Sequence, residues 1–250
     1  MMGMRADVMS LAAPGADPRR RILVMTAHPD DADIMAGGTV AQWVDEGHEV
    51  GYVIFTRGDK GHDDAAMTPE AVTALREAEQ RTAAATLGVS RLTFLDFQDG
   101  ELAWAGPALA EIATRLIREA RPHTVVTHDP YAGAPGYRVP QLHPDHRAVG
   151  AAVVDACYFR APGPLYYPAH GAEGLAAHRV TEMLLIMSDH VDHAVNIGST
   201  FARKLEAVGA HTSQFGQHSD LEGFLRGLGA RAGAPVGLPL AESFKRLTLS

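Results

Sequence analysis

RILVMTA (Arg21–Ala27), followed at once by His28-Pro29-Asp30-Asp31, is the stretch that decides the fold. A short apolar run that ends in polar residues is typical of a strand buried on both faces of a sheet. Helical spacing of apolar residues follows from Ile34 to Glu46, and a second apolar run, EVGYVIFT, occupies Glu49–Thr56. Strand, helix and strand in this order predict a right-handed βαβ unit with parallel strands.

The same alternation continues along the chain. Thr68, Pro69 and Glu70 form an N-cap signal for a helix that should end at Leu87, because Gly88 follows it. Further strands are predicted at Arg91–Leu95, His123–His128 and Val180–Met187, and further helices at Pro107–Ala120, Pro144–Tyr158, Ser199–His211 and Leu221–Arg231. The sequence therefore predicts an α/β fold, with a Rossmann-like, mostly parallel, doubly wound sheet in a single domain over residues 21–250.

The composition fits such a domain and excludes several classes of partner. Of 250 residues, 46% are apolar and 21% are charged, which is the balance of a globular protein with a sizeable core. The net charge of −8 argues against nucleic acid and anionic membranes as partners.

Residues 1–20 lack the apolar core of a signal peptide and are expected to form a mobile tail. With a single cysteine and no apolar run near the roughly 18 residues that span a bilayer, we expect a soluble cytoplasmic protein.

Polar clusters follow the predicted strands at the points where those strands end. They are His28–Asp31 after the first strand, Arg57–His62 after the second and His128-Asp129 after the fourth; a further cluster, His143–His146, follows the long loop Asp129–Leu142 and opens a helix. In open α/β sheets, ligands bind beyond the carboxyl ends of the strands, where the strand order reverses. We therefore expect these clusters to meet in one site.

Two of the clusters have the spacing of metal ligands. His28 and Asp31 are three residues apart across a strand-to-helix turn, so one imidazole nitrogen and one carboxylate can converge on a cation such as Zn²⁺. One of His143 and His146 would complete a three-ligand site with an open position, the pattern of a catalytic zinc. Asp30 cannot easily bind the same ion and is free to accept a proton. The remaining histidine can stabilise an oxyanion or protonate a leaving amine.

Other notable residues receive structural interpretations. We expect Cys157 and Trp43 to lie in the core and Trp104 to be a packing residue, although Trp104 follows a polar loop and is placed to border a cleft. The stretch Ala161–Gly174 is expected to cross the surface. Seven other histidines are expected to be solvated or capping residues: His48, His62, His170, His178, His190, His193 and His218.

The paired motifs resemble the signatures of the PIG-L (LmbE-like) deacetylase family. Ala27–Asp31, with Asp33 and Gly37-Gly38-Thr39 after it, is similar to the family's opening motif, and His143–His146 is similar to its His-x-Asp-His motif. Lesser matches are Thr56–Gly61, Arg76-Glu77, Leu87–Val89, Asp99-Gly100 and His211–Gln214. The resemblance runs in order from Arg21 to Gln214.

The resemblance implies zinc-dependent hydrolysis that removes an N-acetyl group from an N-acetylglucosamine-type small molecule. By motif position, it implies zinc ligands at His28, Asp31 and His146, with Fe²⁺ or Co²⁺ as alternative metals because such a ligand set does not choose sharply. The resemblance also implies that Asp30 is the general base and that His143 stabilises the oxyanion and acts as the general acid. It further implies that Asp145 orients a histidine. The last roles it implies are contacts with sugar hydroxyls, made by Arg76 and Asp99.

Two departures and two alternative functions are left open at this point. The family usually has glutamate in place of Asp33 and a polar residue in place of Leu142, which affects the surroundings of the metal and the substrate-side wall. One alternative function is an amidase that removes a larger acyl or thiol-conjugate group on the same metal site. The other is a non-catalytic sugar- or nucleotide-binding module, against which no G-x-G-x-x-G follows the first strand. A homo-oligomer is compatible with the sequence.

Overall fold

Five adjacent parallel strands, which extend to one edge of the sheet, make up most of it in the computed structural model, which describes residues 5–6, 19–132 and 143–249. The described strands are β1 (Arg5–Ala6), β2 (Arg21–Thr26), β3 (Glu49–Thr56), β4 (Arg91–Phe97), β5 (Thr124–His128), β6 (Glu182–Ile186), β7 (His193–Asn196) and β8 (Ala241–Thr248). They lie in the order β1-β7-β8-β6-β5-β2-β3-β4, and β8 is antiparallel to both of its neighbours. The predicted single α/β domain with a mostly parallel sheet is confirmed.

Helices cover both faces of this sheet. They are α1 (Asp31–Asp45), α2 (Pro69–Leu87), α3 (Gly106–Ala120), α4 (Pro144–Asp155), α5 (Pro168–Ala172), α6 (Phe201–Gly209), α7 (Thr212–Phe215) and α8 (Leu221–Gly233). Helices α3 and α4 pack on one face, and α1, α2, α6 and α8 pack together on the other. The sheet is therefore doubly wound.

The apolar run of β2 explains why this strand lies at the centre. Leu23 and Met25 belong to the apolar cluster under α3 and α4, whereas Ile22 and Val24 belong to the cluster under α1 and α2. Alternate side chains of a strand point to opposite faces. A strand whose central residues are apolar on both faces is stable only where both faces are covered, as they are inside a doubly wound sheet.

Helix α2 begins and ends where its sequence predicts. The Thr68 hydroxyl oxygen accepts a hydrogen bond from the backbone N–H of Ala71, and Pro69 is the first helical residue. Gly88 ends the helix at φ 80°, a conformation that glycine adopts at little cost. A Cβ atom at Gly88 would lie 2.8 Å from Val44, so this position also needs glycine for the close approach of α1.

Several elements differ from the sequence prediction. Strands β7 and β8 were not predicted, and the predicted helix Pro144–Tyr158 ends as α4 at Asp155 and continues as a π-helical turn, Ala156–Arg160. The predicted surface stretch after Arg160 contains α5. The backbone oxygens of Arg160, Ala161 and Gly163 accept hydrogen bonds from the buried guanidinium of Arg118.

Three residue interpretations need correction. His170 and His193 are buried, at 1% and 2% exposure, instead of solvated. His170 lies between Arg118 and Glu111, which supply partners to its two ring nitrogens. Trp104 is 80% exposed and is not a packing residue, whereas Trp43 and Cys157 lie in the core as predicted.

Within the predicted tail, Arg5 and Ala6 form a short strand whose backbone pairs with β7. Outside the described residues lie positions 1–4 and 7–18 of that tail, most of the predicted loop Asp129–Leu142, and the Leu142 departure. Within the described ranges, no helix is long and apolar enough to cross a membrane.

The strand order produces a crevice between β2 and β5. The chain runs from β2 outwards to β3 and β4, and then crosses to the other side of β2 to form β5. The connections that leave β2 and β5 therefore diverge to opposite faces of the sheet. His28 follows the end of β2 and His128 ends β5, so the predicted polar clusters meet at this crevice.

Candidate metal centre

A sharp turn joins β2 to α1 and presents two aspartates. Asp30 is the N-cap of α1 and has φ 92°, a backbone conformation that is costly for a residue with a side chain. Its backbone N–H donates to Gln80 Oε1 at 2.8 Å, and Arg76 Nη2 donates to the oxygen of Pro29 at 2.8 Å. Both partners lie on α2, so this helix holds the strained turn in place.

Three side chains in this crevice bring their donor atoms close together in pairs, with the two oxygens of Asp31 each facing one histidine. His28 Nδ1 lies 3.2 Å from His146 Nε2 and 3.5 Å from a carboxylate oxygen of Asp31, and His146 Nε2 lies 3.3 Å from the other oxygen of Asp31. A tetrahedral zinc with ligands at about 2.0–2.1 Å requires ligand atoms about 3.3 Å apart. The three side chains are buried, and their donor atoms fit such a metal.

The second ring nitrogen of His28 faces two carboxylates. Nε2 lies 3.2 Å from Asp145 Oδ2 and 3.1 Å from Asp99 Oδ1. Burial lowers the pKa of His28, but its hydrogen bonds with Asp145, Asp31 and Asp99 outweigh burial and raise this pKa well above its ordinary value. A carboxylate on the far nitrogen of an imidazole orients the ring and strengthens it as a ligand.

His143 lies beside these groups as the N-cap of α4. Its ring centre is 4.7 Å from that of His28 and 4.9 Å from that of His146. Burial, followed by the charges of His28 and His146, lowers the pKa of His143, so this imidazole is neutral near pH 7. Since Nδ1 accepts a hydrogen bond from the backbone N–H of Asp145, the proton is on Nε2, which can donate.

The chain is similar in sequence to known deacetylases. The profile of the PIG-L family, described as GlcNAc-PI de-N-acetylase, matches residues 23–157. The diacetylchitobiose deacetylase of Thermococcus kodakarensis is 32% identical over 196 residues, which cover 78% of this chain and 70% of that protein. The chain belongs to the PIG-L family.

Two further relatives agree with this membership. A Bacillus cereus protein named "Probable N-acetyl-alpha-D-glucosaminyl L-malate deacetylase 2" is 32% identical over 199 residues, covering 78% of this chain and 84% of that protein. The structure of the N,N'-diacetylchitobiose deacetylase from Pyrococcus horikoshii superposes with a TM-score of 0.82 at 28% identity, over 92% of this chain and 84% of that chain. The resemblance found in the sequence is confirmed, as is the fold that it implies.

His128 is a member of the centre to which the sequence reasoning gave no role. Its Nε2 lies 3.3 Å from Asp31 Oδ2 and accepts a hydrogen bond from the backbone N–H of Ala27. Its ring stacks on His146, with centres 4.1 Å apart, and burial lowers the pKa of His128 to about 4. Asp31, His128 and His146 therefore form a second set of donors close enough to hold a metal. The sequence feature that could have indicated this role for His128 was its position at the end of the strand that becomes β5, beside β2.

Asp33, where the PIG-L family usually has glutamate, lies in a buried network behind the turn. Its carboxylate accepts hydrogen bonds from Gln80 Nε2 at 2.7 Å and from the Tyr52 hydroxyl at 3.2 Å. His211 Nε2 lies 2.9 Å from the same carboxylate. Gln80 also accepts from the backbone of Asp30, so the network supports the turn, and the shorter side chain of Asp33 reaches all of its partners.

The two predicted sugar contacts, Arg76 and Asp99, both lie at the metal centre. Arg76 is 4% exposed, and its guanidinium donates to the backbone oxygens of Pro29 and Gly58 and to Asp30 Oδ2 at 3.1 Å. Asp99 is 9% exposed and faces His28. The structure thus places both side chains among protein partners beside the predicted ligands.

Proposed function

We propose that this protein is a zinc-dependent N-deacetylase that removes the acetyl group from an N-acetylglucosamine-type small molecule. The observation that carries the proposal is the cluster of donor atoms from His28, Asp31 and His146, with Asp30 next to Asp31 in the chain and the His143 ring against that of His28. Three protein ligands with an acid or base beside them are the arrangement of a hydrolytic metal site.

The relatives support the choice of substrate class. The names of the matched proteins specify diacetylchitobiose and N-acetyl-alpha-D-glucosaminyl L-malate as substrates, and another relative is named for 1D-myo-inositol 2-acetamido-2-deoxy-alpha-D-glucopyranoside. All three substrates carry an acetamido group on a glucose ring. We therefore assign an acetamido sugar to this chain, with the rest of the molecule attached to that sugar.

The metal would be held by His28, Asp31 and His146. A divalent zinc bound there supplies two effects, a lower pKa for a water molecule and a polarised acyl carbonyl. The ligand set also accepts Fe²⁺ and Co²⁺, and we propose zinc because two nitrogens and one oxygen in tetrahedral spacing suit it best.

Asp30 is suited to take a proton from the attacking water. Burial raises the pKa of Asp30 to about 6 against the charge of Arg76, which lowers it, so the carboxylate is ionised at pH 7 and still basic. Arg76 occupies Oδ2, and Oδ1 has no hydrogen-bond partner within the part of the chain that the structure describes. This oxygen is therefore available to the water.

His143 is suited to donate a hydrogen bond to the oxyanion that develops on the substrate. Its Nε2–H can donate to the carbonyl oxygen of the acetamido group as negative charge develops there. The water oxygen bonds to the carbonyl carbon, the carbon–nitrogen bond breaks, and a proton passes to the amine nitrogen. The products are acetate and a free amino sugar.

Two further groups, one carboxylate and one guanidinium, position these residues. We propose that Asp145 orients His28 and that Arg76 orients Asp30, on the contacts described above. The predicted contacts of Arg76 and Asp99 with sugar hydroxyls stay predictions, and the pH experiment in the Discussion separates the two roles for Arg76.

Release of free amine tests the proposal directly. Metal-stripped protein, with and without one equivalent of zinc, is incubated with N-acetylglucosamine derivatives and with matched amides of longer acyl chains. We expect zinc-dependent release from the acetylated sugars. Zinc-dependent release only from the longer amides would favour the larger-acyl amidase, and no release with zinc bound would favour a binding module.

A further inference from the structure

A cavity of about 330 Å³ lies among α1, α8, β8 and the segment that follows β6. At the roughly 30 Å³ that a water molecule occupies, the cavity has room for about ten non-hydrogen atoms, which is the size of a small ligand. Its apolar lining is formed by Ile34, Met35, Met187, Val191, Leu228 and Ala232. Because β6 runs parallel to β5, the cavity lies at the same edge of the sheet as the metal centre. None of the described residues of the metal centre lines it.

Two polar residues of the lining form a buried ion pair. Lys204 Nζ donates to Glu242 Oε1 at 2.6 Å and to the backbone oxygen of Ile34 at 2.7 Å. An ammonium group has three N–H donors, and the third has no partner among the described residues. Oε1 also accepts from the backbone N–H of Gly38, whereas Oε2 accepts only from that of Thr39 within the described ranges. The pair therefore offers one donor and one acceptor to a ligand.

The charges that line the cavity cancel. Lys204 and Glu242 compensate each other at no more than 4% exposure of either side chain. The other charged residues of the lining, Arg231 and Asp189, are also of opposite sign. A charged ligand would lose its hydration and meet no net opposite charge, which is unfavourable. A hydroxyl group both accepts and donates, so one neutral hydroxyl matches the two open positions of the ion pair.

The backbone around the cavity is held in place, whereas two of its side chains can adapt. Met187 has φ 57°, which is costly for a residue with a long side chain and persists only where the surroundings fix it. The next residue, Ser188, donates to Asp129 Oδ2 at 2.5 Å and accepts from the backbone N–H of His190 at 3.1 Å. The side chains of Met35 and Met187 are flexible and fit apolar surfaces of different shapes. The site is therefore formed before a ligand binds.

We propose that this cavity binds a neutral aliphatic molecule that carries a single hydroxyl group. The hydroxyl accepts from Lys204 Nζ and donates to Glu242 Oε2, and the hydrocarbon chain covers Met35, Met187 and Leu228. A chain of about eight carbons fits the volume. The inference goes beyond the proposed deacetylase function and does not rest on it, because these residues take no part in the proposed chemistry.

Methyl NMR tests the binding without any turnover. Protein labelled with ¹³C at the methionine methyl groups is titrated with 1-octanol, and with octanoate and octylammonium as charged probes of the same chain length. We expect 1-octanol to shift the signals of Met35 and Met187, which Met35→Leu and Met187→Leu assign. Met25 and Met183, which are fully buried in the core on the other face of the sheet, should not shift. Both charged probes should bind at least about tenfold more weakly.

Two variants of α8 form a matched pair. Ala232→Leu places three more carbons in the cavity and should raise the dissociation constant of 1-octanol at least about tenfold. Ala230→Leu makes the same change at an exposed residue of the same helix that does not line the cavity, and it should bind 1-octanol like the wild type.

Three outcomes would overturn the inference. Unshifted Met35 and Met187 signals at saturating 1-octanol would show that the cavity binds no such molecule. Tighter binding of octanoate or octylammonium would show that the ion pair selects a charged ligand. Equal effects of Ala230→Leu and Ala232→Leu, or shifts of Met25 and Met183 as well, would show unspecific partitioning into the core. Binding of 1-octanol by a protein that releases no amine from any acetylated sugar would count against the deacetylase function and support the cavity.

Discussion

Oδ2 of Asp145 lies 3.2 Å from Nε2 of His28, the ring nitrogen on the side away from the predicted metal position. The same carboxylate is held by two backbone N–H groups of the turn after β4, at Gly100 and Leu102. Asp145 itself lies in the first turn of α4, next to the predicted ligand His146. One buried side chain therefore links two predicted ligands and the turn that carries Trp104.

Asp145→Asn should weaken zinc binding. Asparagine keeps the shape but loses the charge that orients His28, and outer partners of this kind contribute about 10- to 100-fold to metal affinity. Competition with a chromogenic chelator gives the dissociation constant. Asp63→Asn, at an exposed aspartate after β3, is the matched control. Equal zinc affinity for Asp145→Asn and wild type would show that this hydrogen bond does not support the ligand.

Asp30→Asn should bind one zinc per chain and lose most of its turnover. Removal of a general base typically lowers the rate by about 10²- to 10⁴-fold. The substitution suits the φ of 92° at this position, because asparagine tolerates positive φ as well as aspartate does, so the turn should persist. Metal content and kcat are measured on the same preparation. Turnover near the wild-type value, with zinc bound, would exclude Asp30 as the base.

Arg76→Gln should move the acid side of the pH profile to higher pH. The base works only when it is ionised, so activity falls as the pH drops through the pKa of Asp30. Burial raises this pKa to about 6, and Arg76 is the leading group that lowers it, so removal of Arg76 raises it further. A bound metal cation lowers it in both proteins. The measurement is kcat/KM against pH.

The control for this prediction lies on the same helix. Arg81→Gln removes an exposed arginine of α2 that pairs with Glu77, and its profile should match the wild type. A raised KM with an unmoved acid side in Arg76→Gln would instead support the predicted sugar contact.

Much of this architecture follows from local sequence. The strands β2 and β3 and the helix α2 were predicted to within one residue, because uninterrupted apolar runs and N-cap and C-cap residues specify them locally. The meeting of His28, Asp31 and His146 followed from the position of their motifs at strand ends and from the family resemblance. Strand alternation places such ends at one edge of the sheet.

The features of the fold and of the site that the sequence did not predict depend on contacts between distant parts of the chain. Strand β8 pairs with both β6 and β7, and Glu242 at its start is buried against α1, which no local pattern indicates. His128 was expected at the site with the other polar clusters, but no local pattern indicated that its ring lies against Asp31 and His146. His170 was expected in solvent, and its burial depends on Arg118 and Glu111, more than fifty residues away in sequence.

Glu242→Ala should strongly lower the free energy of unfolding. The Glu242 carboxylate accepts from the backbone N–H groups of Gly38 and Thr39 in α1 and from Lys204 Nζ at 2.6 Å, and both side chains of the ion pair are nearly inaccessible. Removal of one partner leaves a buried unpaired charge, which costs about 3–5 kcal/mol. Urea denaturation measures the change.

A solvent-exposed ion pair provides the control for this unfolding measurement. Glu222 and Arg226 on α8 form an ion pair with both side chains about half exposed, and Glu222→Ala should cost less than about 1 kcal/mol. Similar losses for Glu242→Ala and Glu222→Ala would mean that the buried pair does not anchor β8 to α1.

The central claim is that one zinc is held by His28, Asp31 and His146, and anomalous diffraction at the zinc edge tests it most directly. A crystal of zinc-loaded protein should show a single strong peak at about 2.0–2.2 Å from His28 Nδ1, an Asp31 oxygen and His146 Nε2. A peak bound to His128 in place of His28, or one held by Asp99 and Asp145 on the other side of the His28 ring, would contradict the account.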